Sequence, residues 1–194
     1  NSPSELAKIA AGAGLSAFAL TDHDTLEGIS EARNAAASHG VRLISACEIS
    51  CEVEQGTMHL LVYFLEDRPG PLQDRLVTLQ AGRTSRNDRI VEVLQDHGMA
   101  ISMDDVLEEA GGGSVGRPHL ASVMLRKGYV SSIQEAFDLW LAKGCPAYME
   151  RERLSPEESI ALARDSGAVS VLAHPGTLSM SPAELDVFVA GLAA

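Results

Sequence analysis

At 194 residues and 45% hydrophobic, the chain can form one domain with an elaboration around a sizeable core, and with aromatics at 4% that core must be aliphatic. A formal net charge of -12 argues against sequence-independent binding to long nucleic acid, which needs a basic surface. It leaves room for a small phosphorylated substrate, because bound cations supply positive charge locally.

Three cysteines without a C-x-x-C pair fit reduced thiols in a cytoplasmic protein better than a disulfide framework. The absence of an apolar run near ~18 residues and of a basic-then-apolar start argues against a membrane span and an export signal. Position 1 is Asn rather than Met, and the last predicted helix, over 182–194, runs to the final residue. Both features lead us to expect further residues at each end.

In chain order, Ser2-Pro3-Ser4-Glu5 opens a helix with a capping box and a proline at the first helical position. After Gly14 the run Ala17-Phe18-Ala19-Leu20 reads as a buried strand of the parallel type. It breaks off into Thr21-Asp22-His23-Asp24-Thr25. A helix over 26–38, Gly40 as terminator and a strand over 41–46 ending at Cys47-Glu48 follow. The turn signal Glu54-Gln55-Gly56-Thr57 precedes a strand over 58–65 that carries His59 at its start, not its end. His59 joins the others only if residues 49–58 fold back as a hairpin or loop.

From 66 to 150 the pattern changes. Pro69-Gly70-Pro71 interrupts it and a long helical stretch reaches His97-Gly98. Ser102 with Asp105 and Ser132 with Glu135 suggest further helix starts, punctuated by Gly111-Gly112-Gly113 and Gly144. Ser155-Pro156-Glu157-Glu158 then restores the opening pattern, with a helix, Gly167 and a strand ending at Ala173-His174-Pro175-Gly176. Ser181-Pro182-Ala183-Glu184 opens one more helix.

Helix, glycine, strand, polar residue is the pattern of a parallel β/α barrel or a doubly wound sheet, in which chemistry gathers beyond the strands' carboxyl ends. His23, Glu48, His59 and His174 form a hard-to-borderline ligand set suited to Zn, Mn or Fe. A glutamate can bridge two ions through its two oxygens. Asp22 would orient the His23 ring or ligate an ion itself. In so acidic a chain, Arg83, Arg86 and Arg89 on one helix, with Gly116-Arg117-Pro118-His119, read either as a solvated charged face or as a phosphate clamp.

The segments Phe18-Ala19-Leu20-Thr21-Asp22-His23-Asp24-Thr25, Cys47-Glu48-Ile49-Ser50, His59-Leu60-Leu61, Gly116-Arg117-Pro118-His119-Leu120-Ala121 and Ala173-His174-Pro175-Gly176 occur in that order. Together they resemble the PHP (polymerase and histidinol phosphatase) family of metal-dependent phosphoesterases. The likeness is to the branch that dephosphorylates nucleoside 3′,5′-bisphosphates or trims short RNA from its 5′ end. The resemblance implies an α/β fold, a distorted (β/α)7 barrel in segments 1–65 and 151–194, with a helical insertion over 66–150. It implies up to three divalent ions, Glu48 bridging two of them, His59 and His174 completing one site and His23 belonging to another ion. Arg83, Arg86, Arg117 and His119 would meet substrate phosphates.

The family's opening H-x-H with S-D-G and its late D-x-H are not in this sequence, and are expected beyond its ends. The barrel is therefore read as truncated at both ends: either the parent protein carries those residues, or the chain is an incomplete and inactive piece. Two other readings stay open: a non-catalytic PHP-type binding or scaffold domain, and a hydrolase like histidinol-phosphate phosphatase.

Overall fold

A computed structural model describes residues 1–66, 68–111, 115–150 and 152–193. Gly112 and Gly113 of the triple-glycine punctuation, and Ala194, lie outside the described residues. The elements are α1 (Pro3–Gly12), β1 (Ala17–Leu20), α2 (Ile29–Ser38), β2 (Arg42–Cys51), β3 (Met58–Tyr63), α3 (Pro71–Asp96), α4 (Met103–Ala110), α5 (Arg117–Arg126), α6 (Ile133–Ala136), α7 (Pro156–Asp165), β4 (Val169–Ala173) and α8 (Pro182–Leu192). The chain divides into two compact units, Asn1–Leu79 with Arg153–Ala194 and Gln80–Glu152.

In the first unit the strands form one sheet in the order β1-β2-β3-β4. Its core is aliphatic, as the scarcity of aromatics requires: Ile49, Leu60, Val62, Leu72, Leu154 and Leu178 are buried there. The all-parallel pattern expected from the sequence needs correction. Only β1 and β2 pair in parallel, while β3 is antiparallel to both β2 and β4. The cause is local. Residues 52–57 join β2 to β3, and a parallel crossover needs a dozen residues or more. Their brevity forces the hairpin that His59 required. β1, β2 and β4 therefore run one way, and the start of β3 lies beside the ends of β2 and β4.

Two strand ends also differ from expectation. β2 continues through Glu48 to Cys51, because Ala46 to Cys51 find ladder partners on β3. β3 stops at Tyr63, where Phe64 takes a φ of 62° and leaves the ladder.

The predicted helix starts rest on hydrogen bonds that satisfy otherwise unpaired N–H groups. Glu5 N–H donates to Ser2 Oγ at 3.2 Å and Glu158 N–H to Ser155 Oγ at 3.1 Å. Asp105 closes a full capping box with Ser102, while the Glu135 carboxylate turns to Ser131 and only Glu135 N–H reaches Ser132.

Among the described residues of the second unit the regular elements are all helices, joined by turns. Ile90, Leu94, Ile101, Leu120, Met124 and Leu141 are buried in its core. Ile133–Ala136 runs directly into a π-helical turn, Phe137–Leu141.

Candidate metal centre

β1 stops pairing at Leu20 but resumes for one residue at His23, in parallel with Glu48 and in the same register. Glu48 N–H donates to the Asp22 carbonyl at 3.1 Å and Asp24 N–H to the Glu48 carbonyl at 2.9 Å. Asp24 then locks the loop. Its carboxylate, 2% exposed, accepts from Ser50 N–H at 2.8 Å and Ser50 Oγ at 3.1 Å, and its backbone sits at φ 56°. Asp and Asn tolerate that left-handed conformation better than most side chains. The polar cluster after β1 is thus a loop pinned to β2, with His23 held beside Glu48.

This lock has a measurable consequence. Asp24→Ala leaves the Ser50 amide and hydroxyl without that acceptor and puts a Cβ-bearing residue without local hydrogen bonding at positive φ. It should lower unfolding stability by about 3 kcal/mol in urea titration. Asp24→Asn keeps an acceptor and should lose less than half as much.

Residues paired across antiparallel strands share a face. His59 pairs with Ser50, two residues beyond Glu48, so Glu48 and His59 are diagonal neighbours on one face. His59 also pairs with Ala173, which would send the next residue to the opposite face. His174 escapes that alternation by leaving the strand at φ 28°, ψ 63°. Its Nε2 comes to 3.1 Å from His59 Nδ1 and 2.9 Å from Glu48 Oε1.

Glu48 faces two ways. Oε1 lies 3.1 Å from His59 Nδ1 and 2.9 Å from His174 Nε2, whereas Oε2 lies 3.7 Å from His23 Nδ1. The rings of His23 and His59 meet edge-on at 4.7 Å, and those of His59 and His174 at 4.9 Å. His23, Glu48 and His59 each offer a ligand atom within 4.8 Å of the others.

Donor atoms 2.0–2.1 Å from one ion stand about 2.9 Å apart at octahedral angles and about 3.3 Å apart at tetrahedral ones. The Glu48–His59–His174 distances fall within or close to that span, so these side chains fit a divalent ion. Burial, with the His23 imidazole beside it, holds His59 below the ordinary histidine range against the pull of Glu48. Its neutral form is the one that ligates. The cysteines are poorly suited to the role: burial pushes the Cys47 thiol up to about 12 and raises Cys51 as well.

Asp22 stands at this rim, its Oδ2 3.3 Å from where a Gly28 Cβ would lie. Desolvation raises its carboxyl above the usual aspartate range, against the opposing effect of His23.

The remaining sequence candidates belong to the helical unit. Arg86 is 8% exposed and donates from Nη2 to Asn87 Oδ1 at 2.8 Å. Arg83 is half-buried and Arg89 exposed, so the three arginines do not form one solvated stripe. Asn87 also donates to the Val115 carbonyl at 3.2 Å, tying α3 to the segment that opens α5. Arg117 donates from Nη1 to the Leu141 carbonyl at 2.9 Å, its guanidinium 5.4 Å from the Tyr148 ring centroid. His119 Nδ1 accepts from Gly116 N–H at 3.0 Å, which leaves the ring proton on Nε2.

Sequence reading assigned no role to Asp24, Ser50 or Thr177, the last lying 3.1 Å from His174 Nδ1. Asp24 stood in the marked cluster, but nothing in sequence announces Ser50 as its partner.

A 5′-3′ exoribonuclease of Haemophilus influenzae is 33% identical over 183 residues, 93% of this chain and 65% of that protein. A 3′,5′-nucleoside bisphosphate phosphatase of Chromobacterium violaceum is 27% identical over 179 residues, covering 92% of this chain and 63% of its own. The chain therefore spans just under two thirds of the length of these curated relatives. A solved structure from Bifidobacterium adolescentis, assigned as a metal-dependent phosphoesterase, matches at a TM-score of 0.82 and 29% identity over 98% of this chain and 69% of that one. Residues 1–166 match the PHP domain, and on the breadth of that match the chain belongs to the PHP domain family.

Proposed function

We propose that the protein hydrolyses phosphate esters of small nucleotides, a nucleoside 3′,5′-bisphosphate or a short oligoribonucleotide, using divalent metal ions. The observation that carries this reading is the two-faced Glu48, with His59 and His174 around one oxygen and His23 opposite the other. The names of the relatives support the choice of substrate.

In this reading Glu48 would be shared by two ions, His59 and His174 would hold one, and His23, with Asp22 beside it, would serve the other. Up to three ions of Mn, Zn or Fe would be held in all. Such ions supply a water acidic enough to act as hydroxide near neutral pH and positive charge against phosphoryl oxygens. Arg83, Arg86 and Arg117 bind substrate phosphate, for which guanidinium geometry is matched. His119, its Nδ1 occupied by Gly116 N–H, offers Nε2–H as a donor. A distorted (β/α)7 barrel in segments 1–65 and 151–194 with the insertion over 66–150 belongs to the same reading. It is supported by three strands that run one way to a common rim. So does a reducing, cytoplasmic setting, in keeping with three free thiols. No described helix is long and apolar enough to cross a membrane.

The test is phosphate release from a nucleoside 3′,5′-bisphosphate and from a 5′-phosphorylated trimer RNA. Turnover should require Mn²⁺, vanish with a chelator and return when Mn²⁺ is restored. A protein that holds metal in near-stoichiometric amount yet turns over nothing in a broad phosphoester panel would be a binding domain instead.

A further inference from the structure

We propose that Thr177 is a positioning residue for the metal centre, its hydroxyl fixing the tautomer of His174 so that Nε2 presents a lone pair to the ion. The inference rests on the metal reading above, and its first step stands on hydrogen bonding alone.

Thr177 Oγ1 lies 2.7 Å from the Thr57 carbonyl oxygen, 3.0 Å from the His174 carbonyl oxygen and 3.1 Å from His174 Nδ1. A hydroxyl has one hydrogen, and a carbonyl oxygen can only accept. At 2.7 Å the hydrogen belongs to the Thr57 carbonyl, or is shared with that of His174. Toward the imidazole, Oγ1 is then left with lone pairs, so Nδ1 must carry the ring proton and donate. Neutral His174 therefore has a bare Nε2.

That bare nitrogen points into an electron-rich corner. It sits 2.9 Å from Glu48 Oε1, itself an acceptor, and 3.1 Å from His59 Nδ1. Two acceptor atoms this close repel each other unless a cation or a proton joins them. Thr177 thus disposes the corner toward a cation. Ligating histidines often gain orientation and basicity in this way from a partner on the other ring nitrogen.

The lock around Thr177 is built from both sides. Thr177 N–H donates to the His174 carbonyl at 3.1 Å, closing the turn that keeps His174 at its positive φ. Thr57 N–H donates to the Thr177 carbonyl at 2.8 Å. Gly56, at φ 72°, makes the approach feasible: a Cβ there would come 2.3 Å from the Thr177 carbonyl oxygen. The connection 52–57 thereby carries the hydroxyl's acceptor to it.

The experiment compares wild type with Thr177→Val, nearly isosteric but without the hydroxyl, and Thr177→Ser, which keeps it. Nitrogen-15 NMR of the imidazole rings in metal-free protein reports the tautomer, and Mn²⁺ and Zn²⁺ titrations report affinity. Wild type and Thr177→Ser should show His174 protonated at Nδ1. Thr177→Val should show a mixture or the opposite tautomer and bind metal about 10–100-fold more weakly. A folded Thr177→Val with the wild-type tautomer and affinity overturns the role of Thr177, as does a Thr177→Ser that behaves like valine. Wild type that shows the fixed tautomer but binds neither ion overturns the metal reading, which separates the two failures.

Discussion

Glu48→Gln is expected to empty two ion positions at once. The carboxylate directs Oε1 at His59 and His174 and Oε2 at His23, so one substitution withdraws the anionic ligand from both sides. Gln presents a single neutral carbonyl oxygen and an amide that cannot ligate. Metal content measured on the dialysed protein should fall by two ions relative to wild type. Phosphate release should fall on the order of 10³-fold or more, in line with the several kcal/mol of charge stabilisation that bound ions supply. His59→Ala and His23→Ala are the controls, each touching one side. If Glu48→Gln lost no more metal than His59→Ala, the shared-ligand reading would have to be dropped. The fold should survive the change, since the sheet pairing of Glu48 with His23 and Leu61 is made by its backbone, which the substitution leaves in place.

The contrast between His23 and His174 shows what a sequence can and cannot disclose about such a centre. His23 was legible because an apolar strand breaks into a polar cluster, and strand ends of one direction gather at one rim. Glu48 was legible for the same reason, although it stands within β2 and not at its tip. His59 was legible as a candidate with a condition attached, and the short connection 52–57 meets that condition. For His174, the residue type and strand end were visible, but not its orientation. Strand alternation alone would send its ring to the wrong face, and only the left-handed backbone at φ 28° returns it. That conformation depends on Thr57 and Thr177, residues far apart in sequence that carry no motif. Asp24 with Ser50 is a second case, since the pairing of 24 with 50 exists only once β1 and β2 lie in register. The reversal of β3 was visible only as the condition set by His59, because the helix-glycine-strand pattern on either side of it implies parallel strands. Arg86 marks the opposite limit: the sequence left open a solvated helix face or a phosphate contact, and its burial beside Asn87 speaks against the first alone.

Arg117→Ala should separate substrate binding from metal binding. The metal candidates all lie in the unit Asn1–Leu79 with Arg153–Ala194, and Arg117 in the unit Gln80–Glu152. Metal content should therefore be unchanged while KM for a nucleoside bisphosphate rises about 10–100-fold, the loss expected when a charge-assisted phosphate contact disappears. The structure adds a complication that a motif alone would not predict. Arg117 donates to the Leu141 carbonyl and stacks near Tyr148, so alanine also removes a support of the helical unit, worth about 1 kcal/mol. Arg117→Lys resolves the two contributions. Lysine keeps a positive charge for the phosphate but lacks the planar guanidinium that donates to the Leu141 carbonyl beside the Tyr148 ring. It should recover part of the lost affinity while leaving the melting temperature closer to that of alanine than of wild type. If alanine instead emptied the metal centre, the division of labour between the two units would be wrong. If it changed stability but not KM, Arg117 would be a structural residue whose motif reflects the folding of α5 and not the substrate.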